Sequence, residues 1–143
     1  CGCGLHGCWE QYASGRALVR AARNAAANLP DAAARMTELS GGGKIKGPAI
    51  TQAAQEGDPL AISLLAELGR WIGEGSASVA ALLDPALVVV GGGVGDAGDL
   101  LGPARAAFAG ALSAQGLRPE ARIELAALGN DAGIVGAADL ARQ

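Results

Sequence analysis

Three cysteines within the first eight residues are the part of the sequence best suited to chemistry. They are Cys1, Cys3 and Cys8, and they lie in a glycine-rich stretch, CGCGLHGCWE. Their spacing is too tight for a disulfide framework and leaves one thiol over. Three thiolates are a suitable ligand set for zinc, and a structural zinc site normally has four ligands. The fourth ligand would be His6, a water molecule, or a residue that this chain does not contain.

A second stretch that could bind a ligand follows a run of apolar residues. Residues 86–90, ALVVV, predict a strand buried on both faces, and glycines 91–93 come directly after it. Glycines at the carboxyl end of a buried strand let a phosphate or nucleotide approach the backbone amides. Residues 93–98, GVGDAG, also fit the dinucleotide-binding pattern G-x-G-x-x-G. That reading needs an acidic residue after the next strand, and residues 126–130 contain none.

A third glycine-rich stretch, residues 40–47 (SGGGKIKG), invites comparison with a phosphate-binding loop. No predicted strand precedes it, and Ile45 follows Lys44 where a serine or threonine should hold magnesium. We therefore expect a flexible surface loop.

Composition excludes some function classes. The chain has 143 residues, which suits one domain, and a formal net charge of −3 with no basic cluster. Nucleic acid is therefore not an expected partner. Nothing in the sequence resembles a signal peptide or a membrane-spanning segment, and thiols in a metal site suit the cytoplasm.

The elements that would position these stretches follow the α/β order. We predict a helix over residues 10–28 with a kink or a break at Ser14-Gly15, a short helix over 48–56, and a long helix that Asp58 caps and that ends by Asp84. Strands at 86–90 and 122–126 alternate with helices at 99–114 and 132–142. The long helix should bury an apolar face and present glycines to a close backbone neighbour, either a sheet or a nucleotide. The apolar face is Leu60, Leu64, Leu68, Ile72, Val79, Leu82 and Leu83, and the glycines are Gly69, Gly73 and Gly75.

The cysteine stretch, read as Cys-x-Cys-Gly-x-x-Gly-Cys-x-Glu, resembles the zinc signature of the ROK family of sugar kinases and repressors. Residues 9–18, WEQYASGRAL, resemble the glucokinases of that family, and residues 128–138 resemble its closing segment. The resemblance implies that Cys1, Cys3 and Cys8 bind zinc together with an upstream histidine. We therefore expect the chain to be a fragment and His6 to face solvent.

Glu10 has two interpretations. A carboxylate in the opening turn of a helix is favoured by the helix dipole by about 0.3–1 kcal/mol. The family uses the glutamate of this motif to accept hydrogen bonds from sugar hydroxyls, and the resemblance therefore implies that Glu10 binds the substrate. We favour the second interpretation because of the resemblance.

The resemblance also decides between the readings of residues 91–98. The ROK family shares the actin-like ATPase fold, and GGGV at 91–94 resembles its adenosine-side loop. Gly91, Gly92, Gly93 and Val94 are thereby implied to bind ATP. The implied fold is α/β, the carboxyl-terminal domain of an actin-like ATPase (ribonuclease H-like) fold, incomplete without upstream strands. Residues 1–10 would form its zinc knuckle and residues 86–143 its strand-helix-strand-helix nucleotide side.

The implied function is that of an ATP-dependent glucokinase, which phosphorylates the 6-hydroxyl of glucose. Mg²⁺ is implied by this chemistry. The catalytic aspartate, the phosphate loop and any magnesium ligand are expected upstream, so residues 1–143 alone should be inactive. The alternatives are a sugar-responsive ROK repressor and a ROK kinase for fructose, mannose or an N-acetylated amino sugar. The expected partners are glucose and ATP, and the family tends to form homo-oligomers, either dimers or tetramers.

Overall fold

The computed structural model describes residues 1–92 and 100–142 of the chain. The described part is mixed α/β: helices come first, and two short strands follow with helices between and after them. The helices are α1 (Gly15–Asn28), α2 (Ala34–Leu39), α3 (Gly47–Gln55), α4 (Pro59–Leu83), α5 (Leu101–Ala111) and α6 (Ala132–Leu140), the strands are β1 (Leu87–Val90) and β2 (Arg122–Leu125), and two 3-10 helices span Trp9–Gln11 and Gly129–Asp131.

The ends of α4 lie where the local sequence signals put them. The Asp58 side chain accepts a hydrogen bond from the backbone N–H of Ala61 at 2.8 Å, and Pro59 occupies the first helical position. At the other end Asp84 takes a left-handed conformation with φ 46°, ahead of Pro85. The predicted long helix is confirmed, and so is the short helix before it, where Gly57 has φ +89° beyond the end of α3.

The glycines of α4 are where a neighbouring helix approaches. A Cβ placed on Gly69 would lie 2.6 Å from the backbone oxygen of Leu100, and one on Gly73 would overlap the backbone oxygen of Ala104. Helix α5 therefore packs directly on the backbone of α4. The prediction of a close neighbour is confirmed, but the predicted kind of neighbour, a sheet or a nucleotide, is wrong.

Two groups of buried side chains form the core. The first lies where α1, α2, α3 and α4 meet. Its largest members include Leu18, Met36, Ile45, Ile50, Leu65, Leu68 and Ile72. The second lies between the end of α4, α5 and the sheet, and it contains Ala77, Ala80, Phe108, Leu112 and Ile123.

The predicted buried face of α4 is partly wrong. Leu68 and Ile72 are buried as expected, whereas Val79 is exposed and Leu82 and Leu83 are 84% and 74% exposed. The last turns of α4 pack through the small side chains at 77 and 80 instead. The apolar residues on the other side of those turns have no covering element among the described residues.

The two strands pair in parallel, from Leu87 opposite Arg122 to Val90 opposite Leu125. The prediction that the first strand is buried on both faces is wrong for the described part of the chain. Val88 and Val90 are half-buried against the second core group, but Leu87 and Val89 are exposed on the outer face. One face of this sheet is therefore covered and the other is open.

Helix α6 lies on the open side of the structure. All of its residues are exposed, including Ile134, Val135 and Leu140. No helix among residues 1–92 and 100–142 is both long enough and apolar enough to span a membrane.

Candidate functional site

The three cysteine thiols converge at the amino-terminal end of the chain. The Sγ atom of Cys1 lies 2.8 Å from that of Cys3 and 3.2 Å from that of Cys8, and the last two are 3.4 Å apart. None of them forms a disulfide. Gly4 and Gly7 have φ values of +77° and +73°, and this left-handed backbone is what folds the segment tightly enough to bring the sulfurs together.

Backbone geometry favours the thiolate form at one of these positions. The N–H of Leu5 donates to the Sγ of Cys3 at 3.4 Å. This amide, and secondly the thiol of Cys8, holds the pKa of the Cys3 thiol below its ordinary value. The thiolate is the form that binds metals, so the backbone assists the chemistry that the residue types suggest.

The cysteine cluster fits a zinc ion in its donor atoms and nearly in its dimensions. Zn–S bonds of about 2.3 Å at tetrahedral angles put the sulfur atoms about 3.8 Å apart, so the thiols would spread by about 1 Å or less on binding. Within the described residues, this is the one group of three or more His, Cys, Asp or Glu side chains whose ligand atoms lie close enough for a metal. His6 is exposed and is not part of it.

Glu10 lies on the 3-10 helix Trp9–Gln11, directly after the last cysteine. The predicted helix over residues 10–28 is broken as expected at Ser14, whose Oγ accepts from the N–H of Ala17 at 3.1 Å and caps α1. Glu10 is therefore in the first turn of the 3-10 helix and not of α1. Its carboxylate is exposed and accepts one hydrogen bond, from the side-chain amide of Gln11 at 3.1 Å.

Trp9 is a site residue that the sequence reasoning missed. Its indole N–H donates to the backbone oxygen of Trp71 at 2.8 Å, and a Cβ on Gly75 would overlap its ring. The signal available in the sequence was the glycine in the middle of α4. Its partner could not be read because it lies more than sixty residues away in the chain.

A groove of about 1050 Å³ lies between the start of α1 and the end of β1. Gly91 and Gly92 line it together with residues 88–90, and Ser14, Gly15 and Arg16 line the opposite side. Gly92 has φ +83°, a conformation that favours glycine. The predicted ligands Gly93 and Val94 lie outside the described residues.

Positive charge and an aromatic ring distinguish the walls of this groove. Arg16, Arg20 and Arg23 line it, and their positive charges favour an anionic ligand such as a nucleotide phosphate. Trp9 also lines it, whereas Glu10 and the cysteines do not. The structure thus brings the glycine turn next to the residue that precedes Glu10, and the three cysteine thiols lie outside the groove.

The predicted loop is confirmed over residues 40–46, between α2 and α3, whereas Gly47 already begins α3. The loop does not lie wholly on the surface as predicted, because one of its residues is buried. Ile45 is 2% exposed and belongs to the first core group, and the N–H of Lys46 donates to the Oγ of Ser40 at 3.2 Å. The hydrophobic residue after Lys44 thus anchors the loop to the core.

Comparisons of this chain with family models, curated proteins and solved structures all indicate the same family. The model of the ROK family matches residues 1–143. The glucokinase of Streptomyces coelicolor is 49% identical over all of this chain, which covers 46% of that protein. The chain therefore spans about half the length of the curated relatives it matches.

Two solved structures resemble the described fold. A crystal structure of a ROK family glucokinase from Streptomyces griseus, in complex with glucose and AMPPNP, matches with a TM-score of 0.92 and 51% identity over all of this chain and 47% of its own. A ROK hexokinase from Thermus thermophilus matches with a TM-score of 0.71 and 32% identity over 98% of this chain and 42% of its own.

Proposed function

The chain belongs to the ROK family, and from this premise we propose that the full-length protein is a glucokinase that transfers the γ-phosphoryl group of ATP to the 6-hydroxyl of glucose. The observation that carries the proposal is the match, across the whole chain at 51% identity, to a glucokinase bound to glucose and AMPPNP. We further propose the actin-like ATPase (ribonuclease H-like) fold, with residues 1–10 as its zinc knuckle and 86–143 as its nucleotide side.

On the sugar side, we propose that Glu10 accepts hydrogen bonds from glucose hydroxyls. Its exposed carboxylate has one protein donor, the amide of Gln11, so that lone pairs remain for a ligand. Cys1, Cys3 and Cys8 would hold a structural zinc that stiffens the segment leading to Glu10, because a metal bound to the folded segment contributes folding free energy.

On the nucleotide side, we propose that the turn from Gly91 to Val94 approaches ATP. The left-handed backbone at Gly92 and the arginines across the groove support this role for the first two residues of the turn. Phosphoryl transfer also requires Mg²⁺, which neutralises charge on the phosphates. The described residues offer no carboxylate cluster for it, so no residue here is assigned to Mg²⁺.

The test is ATP-dependent phosphorylation by the full-length protein, with glucose compared against fructose, mannose and N-acetylglucosamine. A Glu10→Ala variant should raise the glucose KM by about tenfold or more, because a hydrogen bond to a charged group contributes about 1.5–3 kcal/mol. The ATP KM should stay near its parent value. Glu120→Ala, which removes an exposed carboxylate elsewhere, is the control. Absence of glucose phosphorylation by the parent protein would reject the proposal.

The zinc site has a separate test. We expect about one zinc per chain in the parent protein and loss of that zinc in Cys8→Ser, measured by metal analysis after gel filtration. Equal zinc content in the two proteins would remove the metal role from the cluster.

A kinase for another hexose is the second candidate. It is favoured by the 32% identity to the Thermus thermophilus ROK hexokinase over nearly the whole chain. The sugar panel separates the two candidates, since a kcat/KM for another hexose above that for glucose would select the second.

We also propose a cytoplasmic location, since ATP and reduced thiols are found together there. Self-association into dimers or tetramers is likewise a proposal, which sedimentation of the full-length protein would check.

A further inference from the structure

The 3-10 helix Trp9–Gln11 is attached to α4 at its first residue. Trp9 donates its indole N–H to the backbone oxygen of Trp71, and its ring lies on the α4 backbone where Gly75 has no side chain. A glycine inside a helix costs about 1 kcal/mol relative to alanine. At Gly75 an alanine would collide with the indole ring, so the glycine allows the tryptophan to lie directly on the helix backbone.

The same 3-10 helix is attached to α1 at its last residue. The Arg20 guanidinium donates to the side-chain oxygen of Gln11 at 3.0 Å and also to its backbone oxygen. Because a guanidinium has donors and no acceptor, the oxygen end of the Gln11 amide must face Arg20. The NH₂ end is thereby turned toward Glu10, whose Oε2 it reaches at 3.1 Å.

Contacts on the following residues strengthen the attachment. The N–H groups of Tyr12 and Ala13 both donate to the backbone oxygen of Trp9 at 2.9 Å, and the Tyr12 ring lies 4.6 Å from the ring of Trp71 between centroids. Residues 9–13 are thus held by neighbours on two helices. Glu10, which lies between the two attachment points, contacts neither helix through a hydrogen bond of its own side chain.

We propose that Trp9 and Gln11 are positioning residues that hold the Glu10 carboxylate in the orientation it needs to bind the sugar. Trp9 fixes the backbone of the 3-10 helix on α4, and Gln11, oriented by Arg20, fixes the carboxylate itself. The inference rests on the sugar-binding role proposed above for Glu10. It adds that the affinity for glucose depends on two side chains that need not touch glucose.

The first test is a double-mutant cycle on glucose binding to the full-length protein, measured by calorimetry without ATP. Gln11→Ala should weaken glucose binding by about fivefold when Glu10 is present and by less than about twofold in the Glu10→Ala background, because the amide acts through the carboxylate. Gln52→Ala is the matched control, since Gln52 donates to Glu56 at the same 3.1 Å on the exposed face of α3. It should leave glucose binding unchanged. An equal loss in both backgrounds, or no loss in either, would overturn the role of Gln11.

The second test concerns Trp9 and measures hydrogen exchange at backbone amides. Trp9→Phe, which removes the indole donor, and Gly75→Ala, which displaces the ring, should both speed hydrogen exchange at the amides of Tyr12 and Ala13. Gly110→Ala is the control, because a Cβ at that helical position meets nothing within 4 Å. Unchanged exchange in both Trp9→Phe and Gly75→Ala would overturn the attachment to α4.

The two tests also separate this inference from the proposed function. If Glu10→Ala leaves glucose binding unchanged, the sugar-binding role of Glu10 fails and the proposal that Trp9 and Gln11 orient it for sugar fails with it, although faster exchange would still establish the attachment. If Glu10→Ala weakens glucose binding while Gln11→Ala does not, the proposed function stands and the positioning role is rejected.

Discussion

The helical region α1–α5 and the open region, which comprises the outer face of the sheet and α6, differ in how far they bury apolar side chains. In the helical region Met36 and Ile50 are completely buried and Phe108 is 2% exposed. In the open region Val89 is 57% exposed and Ile134 is 73% exposed. The residue types are similar, so side-chain hydrophobicity alone does not explain the contrast.

The contrast comes from the neighbours that each face meets. Helix α4 has α1 and α3 on one side and α5 on another, and the close approach of α5 requires Gly69 and Gly73. The outer face of the sheet has no covering element among the described residues. For the site, this means that the residues on either side of Glu10 are attached to the well-packed helices, whereas Gly91 and Gly92 follow a strand with one open face.

The largest expected effect is on the core of the helical region. Phe108→Ala should lower the free energy of unfolding by about 3–5 kcal/mol, because it removes a large buried side chain and leaves a cavity. Leu140→Ala in α6, where the side chain is 72% exposed within residues 1–142, should change it by about 0.5 kcal/mol or less provided that the rest of the full-length protein does not cover α6. Urea unfolding of the full-length protein measures both. Comparable losses would show that the open region is as well covered as the helical one.

The next effect tests the close contact between α4 and α5. Gly73→Ala should destabilise the protein by about 1–3 kcal/mol, because the added Cβ meets the backbone of α5 and one of the helices must move. Gly110→Ala, an open helical position, should stabilise by about 0.5–1 kcal/mol through helix propensity. The same unfolding assay should therefore give shifts of opposite sign. A stabilising Gly73→Ala would contradict the packing described here.

A functional effect of intermediate size tests the glycine turn in the open region. Gly92→Val should raise the ATP KM by about tenfold, or about 1.4 kcal/mol, because a β-branched residue resists positive φ and its side chain would enter the groove. Gly42→Val, at φ +75° in the loop before α3, introduces similar strain outside that groove. Steady-state kinetics should show an unchanged ATP KM for Gly42→Val. An equal rise in both variants would assign the effect to strain alone.

The smallest effect concerns an ion pair on the surface of the helical region. The Nε of Arg35 donates to Glu56 at 2.7 Å and, as the largest cause, holds the pKa of the Glu56 carboxyl below its ordinary value. A lowered folded-state pKa means that the stabilisation is present above the unfolded carboxyl pKa of about 4.3 and is lost as the pH falls through the folded value. Parent and Glu56→Gln should therefore differ slightly in urea midpoint at neutral pH and converge in acid. A difference that stays constant into acid would show that the pair contributes nothing through charge.

The local part of the fold could be predicted from the sequence. The ends of α4, the break before α1, the two strand segments and the cysteine cluster were all signalled by residues a few positions apart. Asp58 and Ser14 cap helices because their side chains reach backbone N–H groups three residues on. The glycines among the cysteines bring the thiols together for the same local reason. Contacts of this kind join residues that are only a few positions apart, so both partners can be read directly from the sequence.

Only the tertiary structure decided which apolar faces are covered and how the segment that carries Glu10 is attached to α1 and α4. Leu82 and Leu68 share one helix and one residue type, yet the first is exposed and the second is buried, because only one of them faces a neighbouring element. Trp9 contacts Gly75 and donates a hydrogen bond to Trp71, although both lie more than sixty residues away in the chain. No local sequence pattern predicts these contacts. Contacts of this kind depend on how complete helices pack, and the sequence supplies their side chains but not their partners.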